Sequence, residues 1–389
     1  SNKRVNLMHI LFMVFRFAPH KGGAVIVATE IANNFARLGH KVTILTPDLK
    51  QSGEKYEPKL HENVKIILSN TPSRENLKIA ARRCKSNLEK KEKELGEKNK
   101  FDFVLTIFHP FHLVPNAAIS CAKYLKIPSI VKVDDAIYEK ASGLKSLQRR
   151  VEKMISTKAL KNATQILVVN ENTKNIMTSY YNIPKEKISI VPNGVDLSFF
   201  NSSSKDPKKI VFSGVMYHHR GLDVLLDAAP KIIKKHSDVK IILLGDGPEI
   251  LKLKDIVKKE NIESNVIFKG WIDRKEIPQE ISNATIAIGP LKKTTVTEHA
   301  LPIKVLEYMA SSLPIIAFDG TLPSDVLQNE QNGYFVKNST DLSDKIIKLI
   351  EEPELVKNMS QKSLEMVQKF SWKNIIESIL SINKNSQKI

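Results

Sequence analysis

The chain is poor in the features that mark several protein classes. It has 2 Cys in 389 residues, Cys84 and Cys121, which excludes a disulfide framework, and no Cys/His cluster has zinc spacing. Aromatic residues make up only 6% and are not interleaved with the basic runs as a stacking platform requires, so no nucleic-acid partner is expected. The most apolar N-terminal run, Leu7 to Phe15, contains His9 and meets Arg16 at once. It falls well short of the about 20 residues of a membrane span, has no small-residue cleavage site behind it, and reads as a buried strand. There is neither a Walker lysine motif nor a G-x-G-x-x-G turn, which disfavours a P-loop NTPase and a dinucleotide oxidoreductase.

What is present is an ordinary globular composition, 42% hydrophobic, with a strong positive balance of +18. The charge is uneven. Residues 1–200 hold 33 Lys/Arg against 18 Asp/Glu, whereas residues 201–389 hold 27 against 24. The asymmetry points to an anionic partner for the first half, either a membrane surface or a phosphorylated substrate, with nucleic acid as the third option; plain solubility is the other reading. A single core stops growing at about 250 to 300 residues, so the length favours two lobes of roughly equal size, with one large barrel as the alternative.

Short apolar runs at Ile10 to Phe15, Val42 to Leu45, Val64 to Leu68, Phe103 to Ile107, Ser129 to Val133 and Gln165 to Val169 alternate with longer patterned segments such as Ala24 to Leu38 and Pro115 to Leu125. That alternation predicts a parallel sheet with helices on both faces. A turn at Pro192-Asn193-Gly194 and a Ser/Lys/Asp/Pro stretch follow. A second alternation then begins, with strands at Lys209 to Ser213, Lys240 to Leu244, Val266 to Phe268, Ala284 to Ile288 and Pro314 to Phe318. The expected domains are 1–193 and 194–371, with the amphipathic segment from Trp372 assigned to a final helix. Ligands of such sheets bind beyond the carboxyl ends of the strands.

Three segments at strand-to-helix junctions carry candidate chemistry. Gly22-Gly23, after the first strand, either brings backbone N–H groups to a phosphate or makes a tight turn. In Glu298-His299-Ala300-Leu301-Pro302-Ile303-Lys304-Val305-Leu306-Glu307, Pro302 suits the first position of a helix. The amides of Ile303 and Lys304 with the Lys304 ammonium form an anion site. Glu307, among apolar neighbours, is placed to accept hydrogen bonds from a vicinal diol, its alternative being a solvent-facing position. In Gly214 to Leu222, Arg220 can make a bidentate contact with a diphosphate; His218 and His219 read as loop residues rather than metal ligands.

The ordered set Gly22-Gly23, Leu38-Gly39-His40-Lys41-Val42, Val191 to Asp196, Gly214 with Arg220-Gly221, Gly245-Asp246-Gly247-Pro248 and Pro302 to Ala310 resembles the family-4 (group 1) retaining glycosyltransferases of GT-B fold. The resemblance covers nearly the whole chain. It implies an α/β architecture of two facing Rossmann-like doubly wound parallel-sheet domains with a deep cleft between them. The acceptor would be held by residues 1–193 and a nucleoside-diphosphate sugar by 194–371, and the last helix, within 372–389, would return to the first domain. It further implies transfer of a hexose from a UDP- or GDP-sugar to an acceptor hydroxyl of a glycolipid, polysaccharide or other glycoconjugate precursor. Retention of configuration, no metal and no cofactor are part of the same expectation.

Carried over residue by residue, Gly23 contacts the diphosphate across the cleft and Arg220 takes the place of the family's phosphate-binding lysine. Glu307 matches the ribose-binding second glutamate of an E-x7-E motif, and the nucleobase lies by Gly270-Trp271-Ile272-Asp273. The sequence departs from the family in three places. Val215 stands where an arginine is common after Gly214, with Lys304 as its replacement. His299 falls on the first glutamate of E-x7-E, with Glu298 one residue early. Asp134 stands where a histidine is expected after the strand ending at Val133, and either serves the substrates or caps the next helix.

Basic stretches at 74–100 and 144–154 have apolar residues at helical spacing. They are either membrane-surface helices, each basic residue adding about 1 kcal/mol, or charged outer faces balanced in part by Glu89, Glu92, Glu94 and Glu97. The expected compartment is the cytoplasm, with a peripheral place at the inner face of the membrane. A nucleotide-sugar epimerase or phosphorylase and a non-catalytic anionic-surface binding protein are the alternatives in function.

Overall fold

The computed structural model describes residues 7–20, 23–48, 57–69, 77–109, 113–134, 143–199, 204–299 and 301–386, without the side chains of 77–84, 144, 145, 199, 295 and 299. The chain divides into two compact units, Ser1–Asn193 with Trp372–Ile389, and Gly194–Ser371.

In the first unit, β1 (His9–Met13), α1 (Gly23–Arg37), β2 (Lys41–Pro47), β3 (Val64–Ser69), α2 (Leu77–Lys98), β4 (Phe103–Ile107), α3 (Val114–Leu125), β5 (Ser129–Val133), α4 (Leu144–Asn162), β6 (Gln165–Val168), α5 (Glu171–Ser179) and β7 (Ile188–Ile190) follow one another. Among the described residues, seven parallel strands form one sheet in the order β3-β2-β1-β4-β5-β6-β7. β1 pairs Ile10 with Val42 on one side and with Phe103 on the other. Strands covered on both faces read as unbroken apolar runs rather than alternations, and Ile10 to Met13 are fully buried.

The Leu38-Gly39-His40 signal ends α1. Gly39 has φ +90°, its N–H donates to Ala36 and that of His40 to Phe35, a left-handed helix stop. The Met8 amide donates to His40 Nδ1 at 3.1 Å, so that nitrogen is unprotonated. Burial first, against the charge of Asp102, holds the imidazole below its ordinary range.

In the second unit the order is β8 (Lys209–Ser213), α6 (Leu222–Lys235), β9 (Lys240–Leu244), α7 (Ile250–Lys259), β10 (Val266–Gly270), α8 (Ile277–Ser282), β11 (Ile286–Ile288), α9 (Thr295–His299), α10 (Ile303–Ala310), β12 (Ile315–Phe318), β13 (Gly333–Val336), α11 (Ser339–Glu351) and α12 (Pro353–Val367). Its parallel sheet runs β10-β9-β8-β11-β12-β13, so the order reverses between β8 and β11. α13 (Trp372–Ser386) belongs to the first unit, packs on α1 and β6, and buries Trp372, Ile375, Ile376 and Ile379. Among the described residues no helix is long and apolar enough to cross a membrane.

One acidic residue of the 74–100 stretch departs from the charged-face reading. Glu92 is 1% exposed in the packing of α2 on α3. Burial, helped by the charge of Glu89, pushes its carboxyl up to about 8 against a hydrogen bond from Cys121. A carboxyl raised above its ordinary 4.5 contributes stability that is complete below about 4.5 and lost as pH rises through about 8. The wild type should therefore lose about 1.4 kcal/mol per pH unit inside that window through this group. Glu92→Gln, neutral throughout, should flatten the slope in urea denaturation. An unchanged slope would show that Glu92 is ionised in the fold.

Candidate active site

The strand order reverses between β8 and β11, and the carboxyl edge at such a reversal is the position where open parallel sheets bind ligands. β8 leads into Gly214, β9 into Gly245, β10 into Trp271 and β11 into Gly289. Three glycines let these connections approach. Gly214 has φ +150° and Gly245 +119°, and a side chain on Gly245 would collide with the Gly214 carbonyl. Gly221, at φ +71°, would place a Cβ 2.7 Å from the Leu291 carbonyl carbon. The Gly245 to Pro248 segment is a strand-end turn, in which the exposed Asp246 accepts from the Gly247 amide at 2.7 Å.

Arg220 closes a 3-10 turn, His218–Arg220, and is half-buried. Its carbonyl accepts from the Leu291 amide at 2.9 Å, which ties the turn after β8 to the loop after β11. Tyr308, 1% exposed, ties α10 to the same edge, its hydroxyl accepting from the Ser213 amide at 2.7 Å and donating to the Ser213 carbonyl at 3.3 Å. Burial raises the phenol, and the charges of Glu307 and Arg220 act on it in opposite directions. His219 stacks on Tyr217 with ring centroids 5.2 Å apart. Burial and then the Arg220 charge hold its imidazole low.

Glu307 is the centre of the arrangement. Its side chain is 2% exposed, with Oε1 3.3 Å from Arg274 Nη1 and Oε2 2.8 Å from Lys304 Nζ. The solvent-facing alternative therefore does not hold. A carboxylate taken from water needs such compensation. The Lys304 contact lacks hydrogen-bond geometry, so Oε2 remains without a hydrogen-bond partner. Lys304 is thus paired with Glu307 rather than standing apart as a phosphate cation. Arg274 is not among the residues the sequence singles out; a cation directly after the Gly270 to Asp273 segment assigned to the base was the available signal.

Pro302, expected at the first helical position, is instead the N-cap of α10 with ψ 125°. The helix begins at Ile303, and the amides of Ile303 and Lys304 precede the first intrahelical donor. Trp271 is 73% exposed and Ile272 half-buried. The His299 side chain and Gly22 lie outside the described residues. Glu298, beside His299, pairs with Lys293 at 3.4 Å.

In the first unit Gly23 opens α1, with open space where a Cβ would stand. Asp134, one residue past β5, is ion-paired through Oδ1 with Lys132, whose side chain is 0% exposed. Among the described residues the next helix is α4, and its N-cap is Gly143 rather than Asp134. The side chain answers a buried ammonium, a requirement invisible without knowing that Lys132 points inward.

Residues 196–366 match the sequence family described as Glycosyl transferases group 1, and residues 21–199 the one described as Glycosyltransferase Family 4. The two matches fall almost wholly one on each unit and together run from residue 21 to residue 366, both to glycosyltransferase families. An uncharacterised glycosyltransferase of Methanocaldococcus jannaschii is 22% identical over 97% of this chain and 98% of its own. N-acetyl-alpha-D-glucosaminyl L-malate synthase of Bacillus anthracis is 23% identical over 90% of each chain. Among solved structures, Anabaena HepE in complex with UDP superposes with a TM-score of 0.76 at 14% identity, covering 97% of this chain and 100% of that one. The pneumococcal O-GlcNAc transferase GtfA in complex with UDP and GlcNAc gives 0.74 at 13%, covering 99% and 100%. The fold is GT-B, two Rossmann-like α/β domains.

Removing Arg274 leaves the buried Glu307 carboxylate with one poorly aligned cation. Arg274→Met should lower unfolding stability by about 1–3 kcal/mol in urea denaturation, whereas a wild-type midpoint would mean that Glu307 needs no second cation.

Proposed function

We propose that the protein transfers a hexose from a UDP-sugar to an acceptor hydroxyl, with retention of configuration and without a metal. The buried Glu307 carboxylate, one turn inside α10 and next in sequence to the Tyr308 that fastens this helix to β8, is the observation that carries this reading. Its unsatisfied Oε2 suits a ribose hydroxyl. UDP is favoured over GDP because HepE and GtfA, of the same fold, were solved with UDP.

In the reaction the bond from the anomeric carbon to the diphosphate oxygen breaks, and the electron pair leaves on the diphosphate. The acceptor oxygen bonds to that carbon and gives up its proton. Negative charge grows on the leaving group, and oriented cations and amides at that point usually contribute more to such catalysis than any other effect. The Arg220 guanidinium and the amides of Ile303 and Lys304 supply them, with Gly214 letting the phosphates come close to the backbone. That guanidinium and those amides are the support for metal independence. Trp271 and Ile272 are assigned to the base and His299 to the sugar, the roles that their motif positions imply. Asp134, its Oδ1 held by Lys132, would offer Oδ2 to the acceptor hydroxyl. A glycolipid or glycan is the acceptor class we assign, and the cytoplasmic side of a membrane the place of action.

Calorimetry with UDP, GDP and ADP tests the reading, UDP being expected to bind most tightly. Glu307→Gln should weaken UDP by about tenfold, the loss of a charged hydrogen bond. Arg220→Ala should lower turnover by about 10²–10³ with UDP affinity less affected. No uptake of any nucleotide, or full turnover in Arg220→Ala, would overturn the proposal.

A further inference from the structure

The two basic stretches of the first unit part company in the structure. In α2 the described apolar residues Leu88 and Leu95 are buried in the core. Several of its lysines are matched along the helix, Lys85 with Glu89, and Lys91 and Lys98 with Glu94. That is a charged outer face with nothing apolar to offer among its described side chains.

α4 is built otherwise. Glu152, Ser156, Ala159 and Leu160 form its inward face, with Glu152 accepting from Ser156 Oγ at 2.6 Å. On the opposite side Leu147 is 60%, Val151 43% and Met154 67% exposed. Their spacing of four and three residues lines them up along one stripe. Arg150, Lys158 and Lys161, all exposed, interleave with the stripe. The only acid in the helix, Glu152, is on the buried side. The outward face is therefore apolar at its centre and cationic throughout, with no acidic side chain of its own to neutralise it.

We propose that this face of α4 docks the protein onto an anionic phospholipid surface, Leu147, Val151 and Met154 entering the acyl boundary and Arg150, Lys158 and Lys161 meeting lipid phosphates. Charge complementarity selects this occupant. An apolar protein groove would leave three cations to be desolvated, and a polyanion in solution would leave three apolar side chains in water. The inference does not depend on the glycosyl-transfer reading. It concerns the first unit's outer surface, and a nucleotide titration leaves it untouched.

The test is flotation of the full chain with vesicles of phosphatidylcholine alone or mixed with phosphatidylglycerol. Binding is expected only to the mixed vesicles and should weaken strongly at about 0.5 M salt. Leu147→Gln with Met154→Gln should weaken it by at least about tenfold while leaving the thermal melt in place. Arg150→Gln with Lys158→Gln should do the same by the charge route if the first pair fails to fold. Lys90→Gln with Lys100→Gln, an equal loss of charge in the 74–100 stretch, should bind like the wild type. Failure of the wild type to float, undiminished binding by both α4 pairs, or an equal loss in the 74–100 pair would overturn the proposal. So would a solution dimer that the α4 substitutions convert to monomer, since a second copy would then be the occupant.

Discussion

The buried carboxylate of Glu307 is the constraint around which the second unit is arranged. A charge taken out of water must be answered at once, and here Arg274 answers from the loop after β10 while Lys304 answers from the opening of α10. The helix carrying both Lys304 and Glu307 is fastened to β8 by the Tyr308 hydroxyl. The turn carrying Arg220 is fastened to the loop after β11 through Leu291. Each tether runs through backbone atoms, and the close approaches of the strand-end loops depend on glycine.

The first unit solves a mirrored problem at the corresponding edge of its own sheet. There the cation is the buried partner, Lys132 at 0% exposure, and the acid Asp134 stands at the rim at 18%. In the second unit the acid is buried and the cations Arg274 and Lys304 stand at the rim, at 28% and 25%. One sheet edge thus buries the cation and sets the acid at the rim, and the other buries the acid and sets the cations at the rim.

Much of this was legible in the residues. Parallel strands buried on both faces announce themselves as apolar runs, and β4, β5, β8 and β9 occupy the expected residues. Gly39 and Gly221 mark positive-φ positions that few other residues adopt. The losses have physical reasons. β13, four residues of Gly333 to Val336 between polar turns, is too short for its pattern to stand out. Pro302 tolerates both the N-cap and the first helical position, so its identity alone did not fix the helix start. Lys132, Glu92 and Glu152 carry charges that a sequence reading assigns to the surface. Their burial follows from tertiary packing, and so do the pairings that make Asp134 and Arg274 intelligible. α2 and α4 look alike as strings of lysine and leucine; only burial separates the helix that spends its apolar residues on the core from the one that leaves them outside.

The return of α13 to α1 and β6 makes the second unit an insertion in the first. The strand-like contact of Val195 with Ser371, beside which the Val195 N–H donates to the Phe370 carbonyl at 2.8 Å, brings its point of entry next to its point of exit. On a ribosome, where a chain emerges from its N-terminus and domains fold as units, the first unit waits for its final helix until the whole of the second has been made. The inserted unit can close on itself first, and the apolar faces of α1 and β6 that α13 will cover stay open to solvent in the interval.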